Sequence, residues 1–108
     1  MSFRVVFAAE AVQELEAVKS KQERRAIFNA IAKLQQLGEQ LVPPHMKPLA
    51  GGHGLRELRP RQGSSDWRLL YARAEDGYVV LGIADHAGLA NAIETTSARL
   101  KAYTRPVD

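Results

Sequence analysis

Hydrophobic residues in this chain recur with a period that changes from segment to segment, and each period predicts an element. Phe3-Arg-Val-Val-Phe7 is short and rich in β-branched and aromatic residues, which predicts a strand. Ala8, Ala11, Val12, Leu15 and Val18 then follow at helical spacing, giving a first helix of about three turns. Ser20-Lys-Gln-Glu23 matches a capping box, in which the serine side chain and the glutamate each take an orphan backbone N–H. The second helix carries Ile27, Ala30, Ile31, Leu34 and Leu37 on one stripe, and Gly38 is placed to end it. Two helices joined this tightly predict an antiparallel hairpin whose shared apolar stripe covers something flat.

Pro43-Pro44 closes the helical territory, and residues 41–54 read as a loop containing Lys47, Pro48 and Gly51-Gly52. Three strands are predicted after it. Leu55 to Arg59 stops at Pro60, which cannot continue a central ladder. Trp67 to Ala74 and Tyr78 to Asp85 flank Glu75-Asp76-Gly77, a strong hairpin-turn signal. Val79-Val80-Leu81-Gly82-Ile83 is apolar on both faces, so that strand should be central and covered on each side. Leu89, Ile93, Thr96, Leu100 and Tyr103 share a last helical stripe, in which Tyr103 reads as a packing residue, and Arg105-Pro106 ends it. The expectation is an α+β fold in the order β-α-α-β-β-β-α. A small, mainly antiparallel sheet would be covered by an N-terminal helical hairpin and a C-terminal helix.

Composition narrows the class without changing that picture. The 108 residues fit one domain spanning 1–108, long enough to bury a core of its own. The absence of cysteine excludes disulfide scaffolds and thiolate metal sites and points to a reducing cytoplasm. The longest uncharged apolar run, Tyr78 to Ala84, falls far below the ~20 residues that span a bilayer, so no membrane role is expected. Arg4 and Glu10 break up the N-terminal apolar stretch, which therefore does not read as a signal peptide.

The charge is unevenly spread. Residues 10–39 are neutral, whereas Lys47, Arg56, Arg59, Arg61, Arg68 and Arg73 face only Glu57 and Asp66 in residues 40–73, a local net of +4. A basic patch confined to predicted strands is the footprint of a phosphate-binding surface, although a solvated sheet face or a docking face for an acidic protein has the same composition. Gly51-Gly52-His53-Gly54 precedes a strand rather than a helix and so reads as a loop, not a phosphate cradle. His45, His53 and His86 lack the spacing of a metal site, and no serine sits in a nucleophile-elbow context.

Two stretches bring a known family into view. Met46-Lys47-Pro48-Leu49 leads to Gly54-Leu55-Arg56-Glu57-Leu58-Arg59-Pro60, followed by Trp67-Arg68-Leu69-Leu70-Tyr71, and the chain nears its end with Arg99-Leu100-Lys101-Ala102-Tyr103. In order and spacing these motifs resemble the RelE/ParE toxin superfamily of type II toxin–antitoxin systems, most closely its HigB-like, phage-derived branch. The resemblance implies a metal-independent endoribonuclease without cofactor, cleaving mRNA on the ribosome by attack of a ribose 2′-OH on the adjacent phosphate. It also implies a cognate antitoxin, a helix-turn-helix protein by the pattern of such pairs. The alternatives within the same superfamily are a ParE-like inhibitor that binds DNA gyrase without hydrolysis, and a catalytically inactive binding module.

By the same resemblance Arg68 opens the Arg-x-x-Tyr strand and contacts the scissile phosphate. Glu57 and Arg59 share one strand face by the period-two rule. Glu57 could act as general base or hold Arg59 or Arg68 in place, and carboxylates beside arginines lose basicity. Lys47, Arg56, Arg61 and Arg73 are expected to position the RNA backbone. His86 follows the central strand where active members place an acid/base residue, and histidine can serve either proton role near neutral pH. The competing reading makes it a helix-entry residue beside a capping Asp85. After it the chain has Ala87-Gly88-Leu89-Ala90-Asn91, where relatives carry paired lysines, so His86 alone represents that half of the site.

Overall fold

The computed structural model describes residues 2–50 and 54–104; the Gly51-Gly52-His53 part of the loop and the Arg105-Pro106 stop lie outside them. The elements run β1 (Arg4–Phe7), α1 (Ala9–Glu16), α2 (Lys21–Leu37), β2 (Met46–Pro48), β3 (Arg56–Leu58), β4 (Trp67–Ala74), β5 (Gly77–Asp85) and α3 (Leu89–Thr104). They form one five-stranded sheet in the order β1-β5-β4-β3-β2, with β1 parallel to β5 and the remaining pairs antiparallel.

The doubly apolar strand is β5, and it is interior, as its composition requires. One face packs Tyr78, Val80 and Ile83 with Leu58, Leu69 and Tyr71 against Ala11, Val18, Ile27, Ile31 and Leu34 of the helical hairpin. The other packs Val79 and Leu81 with Leu55, Leu70 and Ala72 against Leu100 of α3. A register shift at Leu70/Tyr71 carries β5 from Val80 to Gly82 across one step of β4, which is how Leu81 stays with α3 while Ile83 returns to the hairpin face. The β4–β5 turn is Glu75-Asp76, with Ala74 opposite Gly77. Gly77 itself lies in the strand, where a Cβ would stand 1.9 Å from the Arg4 carbonyl oxygen. Glycine is needed there so that β1 can approach.

Beyond Phe7 the first strand leaves β5, and Ala8 donates the last bond, to the Val80 carbonyl at 2.9 Å. An ion pair takes over from the missing strand. Arg99 of α3 donates to the Leu81 carbonyl at 2.9 Å, Glu14 of α1 accepts from the Ile83 N–H at 3.0 Å, and the two side chains meet at 3.1 Å. Backbone groups that would otherwise form an open sheet edge are satisfied, and both helices are fixed to the sheet. Arg24 of α2 likewise donates to the Leu15 and Val18 carbonyls, closing the end of α1.

Three expectations need correction. Residues 41–54 are not all loop, because Met46–Pro48 adds a fifth strand at the sheet edge. Pro48 disguises it, yet an edge position asks no ladder N–H of a proline. The capping box is half formed: the Ser20 Oγ accepts from the Glu23 N–H, while the Glu23 carboxylate accepts from the Ser65 hydroxyl at 2.6 Å. Tyr103 is not a packing residue; it is 52% exposed.

Candidate nucleic-acid interface

Register brings three of the predicted site residues to one end of the sheet. Leu58 opposes Leu69, Arg68 opposes Ala84 and Trp67 opposes Asp85, so Arg59 at the exit of β3, Arg68 at the entry of β4 and His86 at the exit of β5 share that end. The connection from Pro60 to Ser65 curls over it, kinked where Arg61 and Gln62 leave helical geometry. Arg61 and Gln62 there hold φ of 54° and 58°, a left-handed conformation uncommon for side-chain-bearing residues and frequent where function stores strain.

Arg68 is the centre of this turn rather than its open face. It is 6% exposed, and its Nε donates to Glu57 at 2.9 Å. Its other nitrogens donate to the Ser65 and Trp67 carbonyls and, at 3.1 Å, to Gly63. A guanidinium with those four bonds holds the 60–65 connection in shape and has little left for a ligand. Glu57, also buried, serves a second arginine: the Arg59 Nε lies 3.7 Å from the same Oε1. Of the two options left open for Glu57, the holding role is the one this geometry supports.

Arg59 is placed differently. Its side chain is 30% exposed, and its Nε is buried without a hydrogen-bond partner. Gly63, at φ 96°, lies beneath its guanidinium, where a Cβ would come within 2.8 Å of Nη2. Arg59 and Arg61 enter a cleft of about 780 Å³ between the turn and the outer side of α2. Ala26, Ala30, Leu41 and Leu58 supply its apolar part; Gln22, Asn29 and Gln62 line it with amides. Arg25, Lys33, Arg59, Arg61 and His45 also line it, and among the described residues no carboxylate does. Glu57 stands behind Arg59 and Glu23 beside Arg61, so the cations outnumber the nearby carboxylates and an opening with cations on both walls favours a polyanion.

The remaining expected residues divide. Lys47 opposes Glu57 across the β2–β3 ladder and is exposed, so it sits on the same sheet face as Glu57. Arg61 is exposed at the cleft rim, its Nη1 4.0 Å from Glu23. His86 is exposed on the turn into α3, whereas the Asp85 Oδ1 accepts from the Gly88 N–H at 2.9 Å, the capping role weighed for it. His86 does not line the cleft. Among the described residues no group of three or more histidine or acidic side chains could hold a metal ion, and no helix is long and apolar enough to cross a membrane.

Arg56 and Arg73 do not join the patch. Arg56 alternates with Glu57 and opposes Tyr71, and Arg73 opposes Tyr78, so both fall on the hairpin face. There Glu39, in the turn after α2, gathers them: Arg56 donates to it at 3.0 Å, the Tyr78 hydroxyl at 2.7 Å, and Arg73 lies 3.6 Å away. The Arg56 and Tyr78 hydrogen bonds hold the Glu39 carboxyl at about 2, below its ordinary 4.5. A lowered native pKa stabilises fully above 4.5, and that contribution fades as pH falls towards 2. Because Glu39 is 45% exposed, screening reduces the contribution to about 1 kcal/mol. Glu39→Gln should therefore cost about that much at pH 7 and leave a shallower loss of stability between pH 4.5 and 2 in urea melts.

Sequence reading missed the far wall of the cleft. Residues 10–39 are neutral as a block, but the helical period places Gln22, Arg25, Asn29 and Lys33 along one side of α2 and leaves Glu23 off it. Face-by-face charge counting was the available signal.

A family model described as "Phage derived protein Gp49-like (DUF891)" matches residues 13–85. Among twelve solved chains that match is a double arginine-to-alanine mutant of the E. coli toxin RelE in the free state, with TM-score 0.69, 16% identity, 93% of this chain covered and 98% of that one. The RelB-RelE antitoxin-toxin complex from Methanococcus jannaschii gives TM-score 0.63 and 16% identity over 80% of this chain and 95% of that chain. The E. coli DinJ-YafQ toxin-antitoxin complex gives 0.55 and 19%, over 82% and 98%. No curated protein sequence matches. At these identities the likeness is one of fold, and the RelE-like α+β architecture is common to all three.

Proposed function

This chain belongs to the Gp49-like phage-derived family, and on that premise we propose that it is the toxin of a type II toxin–antitoxin pair, an endoribonuclease that cleaves mRNA. The observation that carries the reading is Arg59, a partly exposed guanidinium anchored at its Nε by Glu57, which lines a cleft where the described residues supply cations and no carboxylate. The RelE-like fold supports it, as do neighbours whose chains were crystallised in toxin–antitoxin complexes.

In this reaction a ribose 2′-oxygen forms a bond to the adjacent phosphorus, its proton passing to a base. The bond to the 5′-oxygen breaks, and an acid protonates that leaving oxygen, giving a 2′,3′-cyclic phosphate and a 5′-hydroxyl. Negative charge builds on the non-bridging oxygens, and Arg59 answers it with a fixed cation, Arg61 assisting from the rim. Glu57 and Arg68 act through Arg59, as positioning residues. Lys47 meets the backbone on the sheet face beside Glu57. His86, at the same end of the sheet two strands away from Arg59, is our candidate for proton transfer. Its replacement by alanine should lower the single-turnover cleavage rate about 100-fold. An unchanged rate would leave His86 as a turn residue only.

The partner is a cognate antitoxin that covers the cations, and the protein acts in the cytoplasm on ribosome-bound mRNA. Gyrase inhibition is the less favoured reading, since RelE and YafQ toxins are among the proteins of like fold. The test is inducible expression with mapping of RNA ends. New 5′-hydroxyl ends within coding sequence, absent from Arg59→Ala cells, support the proposal; arrest of growth with intact mRNA and co-purified gyrase overturns it.

A further inference from the structure

We propose that the α2 wall of the cleft is a track for the phosphate chain of single-stranded nucleic acid, with Arg25 and Lys33 each engaging a backbone phosphate. The inference rests on the nucleolytic reading only in taking RNA as the natural occupant. Arg25 and Lys33 are exposed, and neither makes an ion pair or side-chain hydrogen bond among the described residues. The acid of α2, Glu23, is not among the cleft's lining residues and is engaged by Ser65 and, at the rim, by Arg61. Spaced by eight residues, the two cations stand about 12 Å apart along the helix axis, longer than one nucleotide step. Asn29 lies between them, an amide able to donate to or accept from a base edge.

The facing wall already holds Arg59, so a strand in the cleft would meet cations on both sides. Ala26 and Ala30 are small enough to let a chain settle between those walls. Unpaired like charges at this density repel one another, and a bound polyanion removes that cost by releasing its counterions. A duplex carries its phosphates outside and would reach the rim but not the floor. An acidic peptide answers the charge too, yet the alanine and leucine floor gives it no deep pocket for an anchoring side chain.

The test uses the full chain and a fluorescein-labelled single-stranded oligodeoxynucleotide of about eight nucleotides, within the usual site size. Lacking 2′-hydroxyls, it cannot be cut. Anisotropy titrations at several salt concentrations should show binding that weakens with salt. Arg25→Gln with Lys33→Gln should weaken it at least tenfold and lower the log–log salt slope by about 1.4, since each single-strand contact contributes ~0.7. A control with equal charge loss, Arg4→Gln with Lys101→Gln, should bind as the parent does, and all three proteins should melt alike. Equal weakening by the control, an unchanged slope in the α2 variant, or binding of a labelled polyglutamate peptide where the oligonucleotide does not bind would each overturn the track. If the α2 variant binds and cuts normally while Arg59→Ala cuts nothing, the track fails and the nuclease stands. If the parent binds through Arg25 and Lys33 but cuts no RNA, the track stands and the nuclease fails.

Discussion

Arg68→Ala should unfold much of the protein rather than merely silence it. The substitution strands Glu57 in the interior with only a distant partner in Arg59, and it removes the bonds that hold the Ser65, Trp67 and Gly63 carbonyls. Breaking one side of a buried ion pair costs about 3–5 kcal/mol, because the surviving charge stays desolvated. For a domain of this size that lowers Tm by about 15–30 °C. Arg68→Lys keeps the charge but loses the planar fork and should fall between parent and alanine variant. Replacing both partners, Glu57→Leu with Arg68→Met, should melt above either single variant, since no buried charge remains to be answered. Thermal and urea melts decide the matter. An alanine variant that keeps its Tm within a few degrees while losing all cleavage would return Arg68 to direct contact with phosphate.

That contrast shows which parts of the molecule were legible beforehand. β4 and β5 could be read to within a residue because period-two alternation and a continuous apolar run describe faces and layers, which burial enforces strongly. The second helix was equally plain, since an apolar stripe and its flanking Ser20 and Gly38 agree. β2 escaped because three residues ending in proline carry no periodic signal. At the site, alternation placed Glu57 and Arg59 together correctly in direction, but it is silent about depth. Arg68 and Arg59 look alike in sequence, yet one is enclosed by a connection whose curl depends on left-handed residues, and the other emerges beside it. Arg56 and Arg73 were grouped by proximity along the chain; the period-two rule separates Arg56 from Glu57, and register pairs both arginines with the tyrosines of the other face.

Arg59→Ala is the complementary case, with a large effect on chemistry and a small one on the fold. Its guanidinium is partly exposed, and Arg68 still satisfies Glu57 at 2.9 Å when Arg59 is gone, so stability should change by about 1 kcal/mol at most. In the parent, Glu57 anchors the buried Nε at 3.7 Å, and the partly exposed end of the guanidinium is the donor left for a phosphate oxygen. Loss of one such preorganised donor should lower the single-turnover cleavage rate about 100- to 1,000-fold. Arg59→Lys should recover part of that loss, a point charge without the fork. Gly63→Ala asks the same question while leaving Arg59 in the sequence. Its new Cβ would press within 2.8 Å of Nη2 and strain a backbone at φ 96°, so the guanidinium must move. Cleavage should therefore fall in Gly63→Ala as well, and adding Arg59→Ala to it should cost little more, because both changes remove the same contact. Independent, multiplying losses in the double variant would mean that the turn acts on the substrate by a route other than Arg59.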